Sequence, residues 1–295
     1  MTCAKIILFG EHSAVYGKPA IAVPVKSLQC NIKVSSSKKN RIKTSFDICE
    51  PENKSLMDVL QIILKELNQK KSFSIEIDSN IPIAAGFGSS ASISVEMIRA
   101  ISTKVNLHMS TEKISSIAYE CEKTFHGTPS GIDNTVITYE KPVFFIKNKK
   151  IEFIKLTKPI TFLIALTGIK KQSTKEIVLD VRKKYNSDNE NMAKYFNEME
   201  NIAIFAKSAI EKGDIEKIGD LMNQNQSYLS KISVSSPEID RLIDIALATG
   251  AYGAKLSGAG RGGNIIVAGK QKDYGTIKKN LLKQGAQSVF METII

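Results

Sequence analysis

Four short segments of this 295-residue chain hold residue types that could handle a phosphoryl group. The first is Pro82-Ile-Ala-Ala-Gly-Phe-Gly-Ser-Ser-Ala91. Glycines at 86 and 88 let the backbone curl until successive N–H groups point at one anion, and a helix starting near Ser89 would add the positive end of its dipole. It lacks the Walker lysine and the G-x-G-x-x-G spacing of dinucleotide folds, so neither fingerprint applies. Ser89 and Ser90 put hydroxyls at the helix start, where a neighbouring phosphate would let one of them ligate magnesium. The alternative is a glycine turn capped by serine.

The second segment runs from Glu120 through Glu122 to Asp133. On a helix, Glu122 falls about 80° from the centre of the apolar stripe and Glu120 about 120° away on the other side, so Glu122 is the carboxylate nearer the interior. Magnesium takes oxygen ligands, often one or two carboxylates with phosphates, so Glu122 and Ser90 would make a site; a flanking surface glutamate is the other reading. Asp133 follows Pro129-Ser130-Gly131, a turn that could fix a general base or could be only an Asx turn. In the third segment, Lys5 precedes a short strand and could offset charge on a transferred phosphoryl group, while Glu11 and His12 in the next turn could read a polar substrate. The fourth, Gly250 to Asn264, has six glycines in its first fourteen positions, which suits close approach to a ligand or a mobile hairpin.

These segments need elements to hold them. Short β-branched stretches at 6–9, 20–25, 31–34 and 43–48 read as strands. Leu56, Leu60, Ile63, Leu64 and Leu67 repeat at helical spacing after a cap at Ser55. Phe73, Ile75 and Ile77 alternate as a strand, the glycine loop follows, and a helix from Ser89 carries Ala91, Val95, Ile98 and Ile101. A second helix, 111–125, carries Ile114, Ile117, Ala118, Cys121 and Phe125, capped by Ser110. Strands are expected at 135–137, 143–146 and 161–165. From Ser173 to Ala248 the pattern is helical with breaks near Asn186, Gly213 and Ser233, and Ser236-Pro237 caps the last helix. The glycine-rich run 250–263 is followed by a strand at 264–268, a helix at 273–284 and a strand at 288–293.

A chain of this length exceeds one domain of about 100 to 200 residues, so two are expected, divided near residue 157. Apolar residues at 42% and charged residues at 24% exclude collagen-like, disordered and low-complexity classes. No apolar run approaches the roughly 18 to 20 residues that cross a bilayer, and no secretory leader is expected. The four cysteines are widely spaced with no C-x-x-C pair, which reads as reduced thiols in the cytoplasm. A net charge of +11 would suit an acidic partner. The excess is lysine in scattered pairs such as Lys149/Lys150 and Lys170/Lys171, as on a solvated surface, so a nucleic-acid-binding protein is only a remote alternative.

Taken together the motifs resemble the GHMP small-molecule kinases. KIILFGEHSAVYGKPAIAVPV resembles the family's first motif, IPIAAGFGSSAS its phosphate loop and KLSGAGRGGN its third motif. HGTPSGIDN, GEHSAVYG and STKEIV are closest to the members that act on mevalonate. The resemblance implies an α+β fold of two lobes: residues 1–157 with a left-handed βαβ crossover, the phosphate loop 82–91 and a catalytic turn 126–134, and residues 158–295 as a ferredoxin-like lobe with the glycine-rich loop 253–264, the active cleft lying between them. It implies ATP and mevalonate as partners, with Mg²⁺, and phosphorylation of the C5 hydroxyl in isoprenoid precursor synthesis. Asp133 would take the hydroxyl proton with Lys5 beside it. Ser90 and Glu122 would hold magnesium, and Gly86, Gly88, Ser89, Ser90 and Ala91 would embrace the nucleotide phosphates. Glu11, His12, Ser257, Gly258, Ala259 and Gly260 would border the substrate. No nucleic acid or membrane partner is implied, and a homodimer is allowed. The rival within the fold is a kinase for phosphomevalonate, for the 3-hydroxyl of mevalonate or for another small alcohol. Phe87 stands where the phosphate loop commonly has leucine, and Arg261 and Asn264 interrupt a motif usually richer in glycine.

Overall fold

The computed structural model describes residues 1–47, 49–126, 129–170 and 172–295. Ile48, Gly127, Thr128 and Lys171 lie outside the described residues. With them go one residue of the strand expected at 43–48, two of the 126–134 turn and half of the Lys170/Lys171 pair. Two compact units emerge: Met1–Lys5, Lys26–Pro82 and Gly88–Glu140 form the first, and Ile6–Val25, Ile83–Phe87 and Lys141–Ile295 form the second. The phosphate-loop segment therefore contributes Ile83–Phe87 to one unit and Gly88 onward to the other.

In the first unit, residues 30–37 of strand β2 (Ala20–Ser37) pair antiparallel with β4 (Ser72–Ser79), and β4 pairs in parallel with β3 (Arg41–Thr44). Strand β1 (Thr2–Phe9) pairs with β2. Parallel neighbours need a crossover, which helix α1 (Glu50–Glu66) supplies between β3 and β4. This helix starts five residues before the expected cap. Glu52 reaches back to the Cys49 N–H at 3.0 Å, and Pro51 sits in the first turn, where its missing N–H costs nothing. Ser55 is inside the helix, its hydroxyl donating to the Pro51 carbonyl at 3.0 Å.

Helices α2 (Ser89–Lys104) and α3 (Thr111–His126) lie where the spacing put them, with the Ser110 hydroxyl accepting from the Lys113 N–H at 3.2 Å. The expected strand at 135–137 is instead part of helix α4 (Ile132–Tyr139). Its β-branched residues suggested extension, but Ile132 and Val136, four apart, are both buried on one face. The Thr135 hydroxyl also bonds back to the Gly131 carbonyl at 2.6 Å.

The second unit is built on an antiparallel sheet of β7 (Ile160–Lys170), β8 (Ala251–Ser257), β9 (Gly262–Gly269) and β10 (Ser288–Ile294), in the order β10-β7-β9-β8. Counted along this sheet's own strands the order is 4-1-3-2, the ferredoxin-like arrangement. Helices α5 (Thr174–Ser187), α6 (Asn189–Lys212), α7 (Ile215–Lys231) and α8 (Pro237–Ala248) intervene between β7 and β8, broken close to the expected points, and α9 (Tyr274–Lys283) precedes β10. Leu163, Ala165, Leu256 and Val267 of the sheet bury against Leu242, Ile277 and their neighbours. In the same unit Ala20–Ala22 pairs with β5 (Val143–Phe145), and β5 with β6 (Glu152–Phe153).

The glycine-rich loop expected at 253–264 overlaps strand β8 over residues 253–257. Gly253 serves close approach, to another element of the protein: a Cβ there would lie 1.9 Å from the carbonyl oxygen of Gly219 in α7. Helix and strand backbones approach more closely than any side chain allows. Among the described residues no helix is long and apolar enough to cross a membrane.

Candidate active site

In the first unit, four elements aim side chains at one place. β1 carries Lys5, the first turn of α2 carries Ser90, the last turns of α3 carry Glu122 and His126, and the first turn of α4 carries Asp133. The Lys5 ammonium lies 3.0 Å from Asp133 Oδ1; the lysine side chain is 4% exposed and the aspartate 26%. Gly88 makes room for that lysine, because a Cβ at 88 would sit 2.9 Å from Lys5 Cε and 3.1 Å from Ile137 Cδ1. Its φ of 71° also favours glycine.

Glu122 is buried, as its place on the helix predicted, whereas Glu120 is exposed. Burial pushes the Glu122 carboxyl up to about 8; the Asp133 charge adds to the shift, and the Ser90 hydroxyl and Lys5 oppose it. Glu122 Oε1 is enclosed and has no hydrogen-bond partner among the described residues. His126 Nε2 lies 3.5 Å from Glu122 Oε2 and 3.4 Å from Ser90 Oγ, and burial pulls its pKa down. The sequence reading assigned no role to His126. Its one signal was the position four residues after Glu122 on the same helix.

The second unit holds the other candidates, and they are bonded to one another. Glu11 forms an ion pair and hydrogen bond with Lys255, both side chains being 0% exposed. Asn225 Nδ2 donates to the second Glu11 oxygen at 3.3 Å, and Lys255 also donates to the Leu256 carbonyl at 2.5 Å. Burial pushes Glu11 up and Lys255 down, each against the attraction of its partner. His12 has a φ of 61° and an Nε2 2.9 Å from the Ala259 carbonyl oxygen, to which it must donate. Burial, with the Arg261 charge, pulls His12 down to about 4, so the ring is neutral near pH 7. The Ser257 hydroxyl accepts from the Ile7 N–H at 3.0 Å and donates to the Ile7 carbonyl at 2.9 Å.

Glu11 and Ser257 thus turn their side chains into the protein. Asn264 Nδ2 donates to the Ala85 carbonyl at 2.6 Å, tying the first half of the phosphate loop to β9. Lys255 and Asn264 were not among the residues that sequence reasoning selected. A shallow concavity opens in this unit between the 84–86 loop, Gln172 and Thr174, and the glycine run 257–263.

Family models described as GHMP kinases N terminal domain and GHMP kinases C terminal match residues 54–141 and 206–286. The chain belongs to the GHMP kinases. It is 33% identical to the mevalonate kinase of Pyrococcus abyssi across 94% of this chain and 90% of that protein. It is also 33% identical to that of Methanocaldococcus jannaschii, across 96% and 95%. The crystal structure of L. major mevalonate kinase in complex with R-mevalonate superposes with a TM-score of 0.87 at 28% identity, covering 99% of this chain and 94% of that one. For a GHMP kinase, the paired lysine and aspartate and the buried glutamate beside a helix-starting serine are groups suited to phosphoryl transfer, a reaction that asks mainly for alignment and charge compensation.

Proposed function

We infer that this GHMP kinase transfers the γ-phosphoryl group of ATP to the C5 hydroxyl of mevalonate. The observation that carries the reading is the Lys5–Asp133 pair, 3.0 Å apart, in a chain that matches mevalonate kinases over more than nine-tenths of its length. We assign Asp133 to orient the alcohol and accept its proton, and Lys5 to offset the negative charge that develops on the transferred group. Alignment of nucleophile and phosphate can supply on the order of 7 to 11 kcal/mol. Gly86, Gly88, Ser89, Ser90 and Ala91 would surround the nucleotide phosphates with backbone N–H groups and a helix N-terminus.

The residues present suit Mg²⁺. The unpartnered, buried Glu122 Oε1 and the Ser90 hydroxyl are hard oxygen donors, and an orphaned buried oxygen is costly without a ligand. Glu122 and Ser90 would hold the ion, which when bound neutralises charge on the β- and γ-phosphates. On the substrate side, His12 and the backbone of Gly258, Ala259 and Gly260 border the alcohol, and Glu11 and Ser257 hold them in place. In chain order, residues 1–157 supply the phosphate loop and the acid and residues 158–295 the glycine-rich loop. The free cysteines accord with a reducing compartment, and we place the protein in the cytoplasm.

A substrate panel tests the reading. Purified protein with Mg·ATP should give its highest kcat/KM on mevalonate, with 5-phosphomevalonate as product by phosphorus NMR. A much higher kcat/KM on phosphomevalonate or another alcohol would overturn the substrate and leave the kinase class standing.

A further inference from the structure

The glycine run after β8 bends through left-handed backbone at four glycines: Gly258 (φ 87°), Gly260 (φ 84°), Gly262 (φ 134°) and Gly263 (φ 83°). Arg261 sits among them with φ 53°, in a region where a side chain is strained and glycine is not. An arginine kept at such a position calls for something its side chain does. Of the described residues lining the adjoining concavity, Arg261 is the one that carries a charge; Gln172, Thr174 and Ser257 supply the other polar side chains.

The guanidinium is held in place. Its Nε donates to the Ser233 carbonyl at 3.1 Å, and Nη1 donates to Gln172 Oε1 at 2.6 Å and to Asp180 Oδ2 at 2.8 Å. The backbone N–H of Arg261 donates to the Val234 carbonyl at 2.7 Å. These bonds use three of the five guanidinium donors. No hydrogen bond from Nη2 is found among the described residues, and the side chain is 23% exposed. Asp180 and Gln172 therefore fix the plane of the group and leave donors over. Mevalonate carries a carboxylate at the end of the molecule opposite the C5 hydroxyl, and a planar guanidinium edge is the protein group best shaped to receive one.

We propose that Arg261 is a specificity-determining residue that receives the substrate carboxylate at the wall of this concavity, with Asp180 and Gln172 as its positioning partners. The inference rests on mevalonate being the substrate. The competing role is a strap: Arg261 bonds the glycine run to α5 through Asp180 and to the turn after α7 through Ser233.

Arg261→Gly and Arg261→Lys, made in the full chain, separate the two. Glycine adopts φ 53° without strain, so the first variant is expected to fold. The readout is kcat/KM with Mg·ATP for mevalonate and for 3-methylpentane-1,3,5-triol, in which a neutral hydroxymethyl group replaces the carboxylate, with KM for ATP as a control. A lost charge-assisted hydrogen bond is expected to lower the acid-over-triol ratio of Arg261→Gly by about 10- to 100-fold, through KM for the acid. Arg261→Lys should recover part of it. An equal loss on acid and triol, or no loss on either, would assign Arg261 to the strap and overturn the proposal. A wild type that is active on the triol and inactive on mevalonate would instead overturn the substrate reading on which the proposal stands.

Discussion

Two lysine–carboxylate pairs divide the chemistry of this GHMP kinase. Lys5 and Asp133 belong to one unit, Lys255 and Glu11 to the other, and both lysines are buried. The difference lies in the acid. Asp133 is 26% exposed at the start of a helix, as the proposed exchange of part of its lysine contact for a substrate hydroxyl requires. Glu11 is 0% exposed and is bonded by Lys255 and by Asn225, so its charge is spent on geometry. It fixes the turn that carries His12, a residue with unfavourable backbone angles. One lysine–carboxylate pair is open to solvent on its acid side and the other is closed.

The largest expected effect follows from the open pair. Asp133→Asn should keep the thermal transition of the wild type and lower kcat by about 10²- to 10⁴-fold, the range of a lost general base. Near-normal turnover would move Asp133 out of that role. Lys255→Met strikes the closed pair and leaves a buried carboxylate without its cation, which should cost about 3 to 5 kcal/mol in urea unfolding. Glu11→Gln combined with Lys255→Met removes both charges and should recover much of that loss. If Lys255→Met were as stable as the wild type, the pair would not be holding the turn.

Titration gives the same two units opposite signs. His12 has a folded pKa of about 4 against an ordinary 6.5, so folding favours its neutral form. Its contribution is present above pH 6.5 and is lost as pH falls through 4, a change on the order of 3 kcal/mol. Glu122 is the reverse: held at about 8 against an ordinary 4.5, it favours the protonated form. The stability it contributes is present below pH 4.5 and declines as pH rises through 8. Urea titrations with EDTA from pH 4 to pH 8.5 should show both limbs. His12→Gln should flatten the acid limb and Glu122→Gln the alkaline one; a wild-type limb retained in either variant would assign it to another group.

Much of this was legible where the signal is local. Helices α5 to α8 followed from spacing and breakers, and the caps at Ser110 and Ser236 hold. Misreadings came where packing overrode local preference: β-branched residues placed in α4, and glycines in β8 that serve close approach and not flexibility. Lys5, Ser90, Glu122 and Asp133 could be picked from motifs, but their juxtaposition needed the chain to fold. Lys255 had no such signal, because its partner Glu11 is 244 residues away. Nor could sequence show that residues 6–25 and 83–87 join the unit formed by the C-terminal half, since only long-range contacts express it.

The smallest effect belongs to a third acid. Glu120 stands two residues from Glu122 on α3 and pairs with Lys123 at 2.7 Å, but with 45% and 47% of the two side chains exposed. Water competes for such a pair, and its contribution to stability should be below about 0.5 kcal/mol. Glu120→Gln should therefore leave unfolding and the magnesium requirement as they are, while Glu122→Gln raises the Mg²⁺ concentration needed for half-maximal ATP binding. Two residues along a helix turn one carboxylate to solvent and the other inward. If magnesium titrations of nucleotide binding moved equally in both variants, the ion would be responding to the net charge of the helix, and the assignment of Glu122 as its ligand would fall.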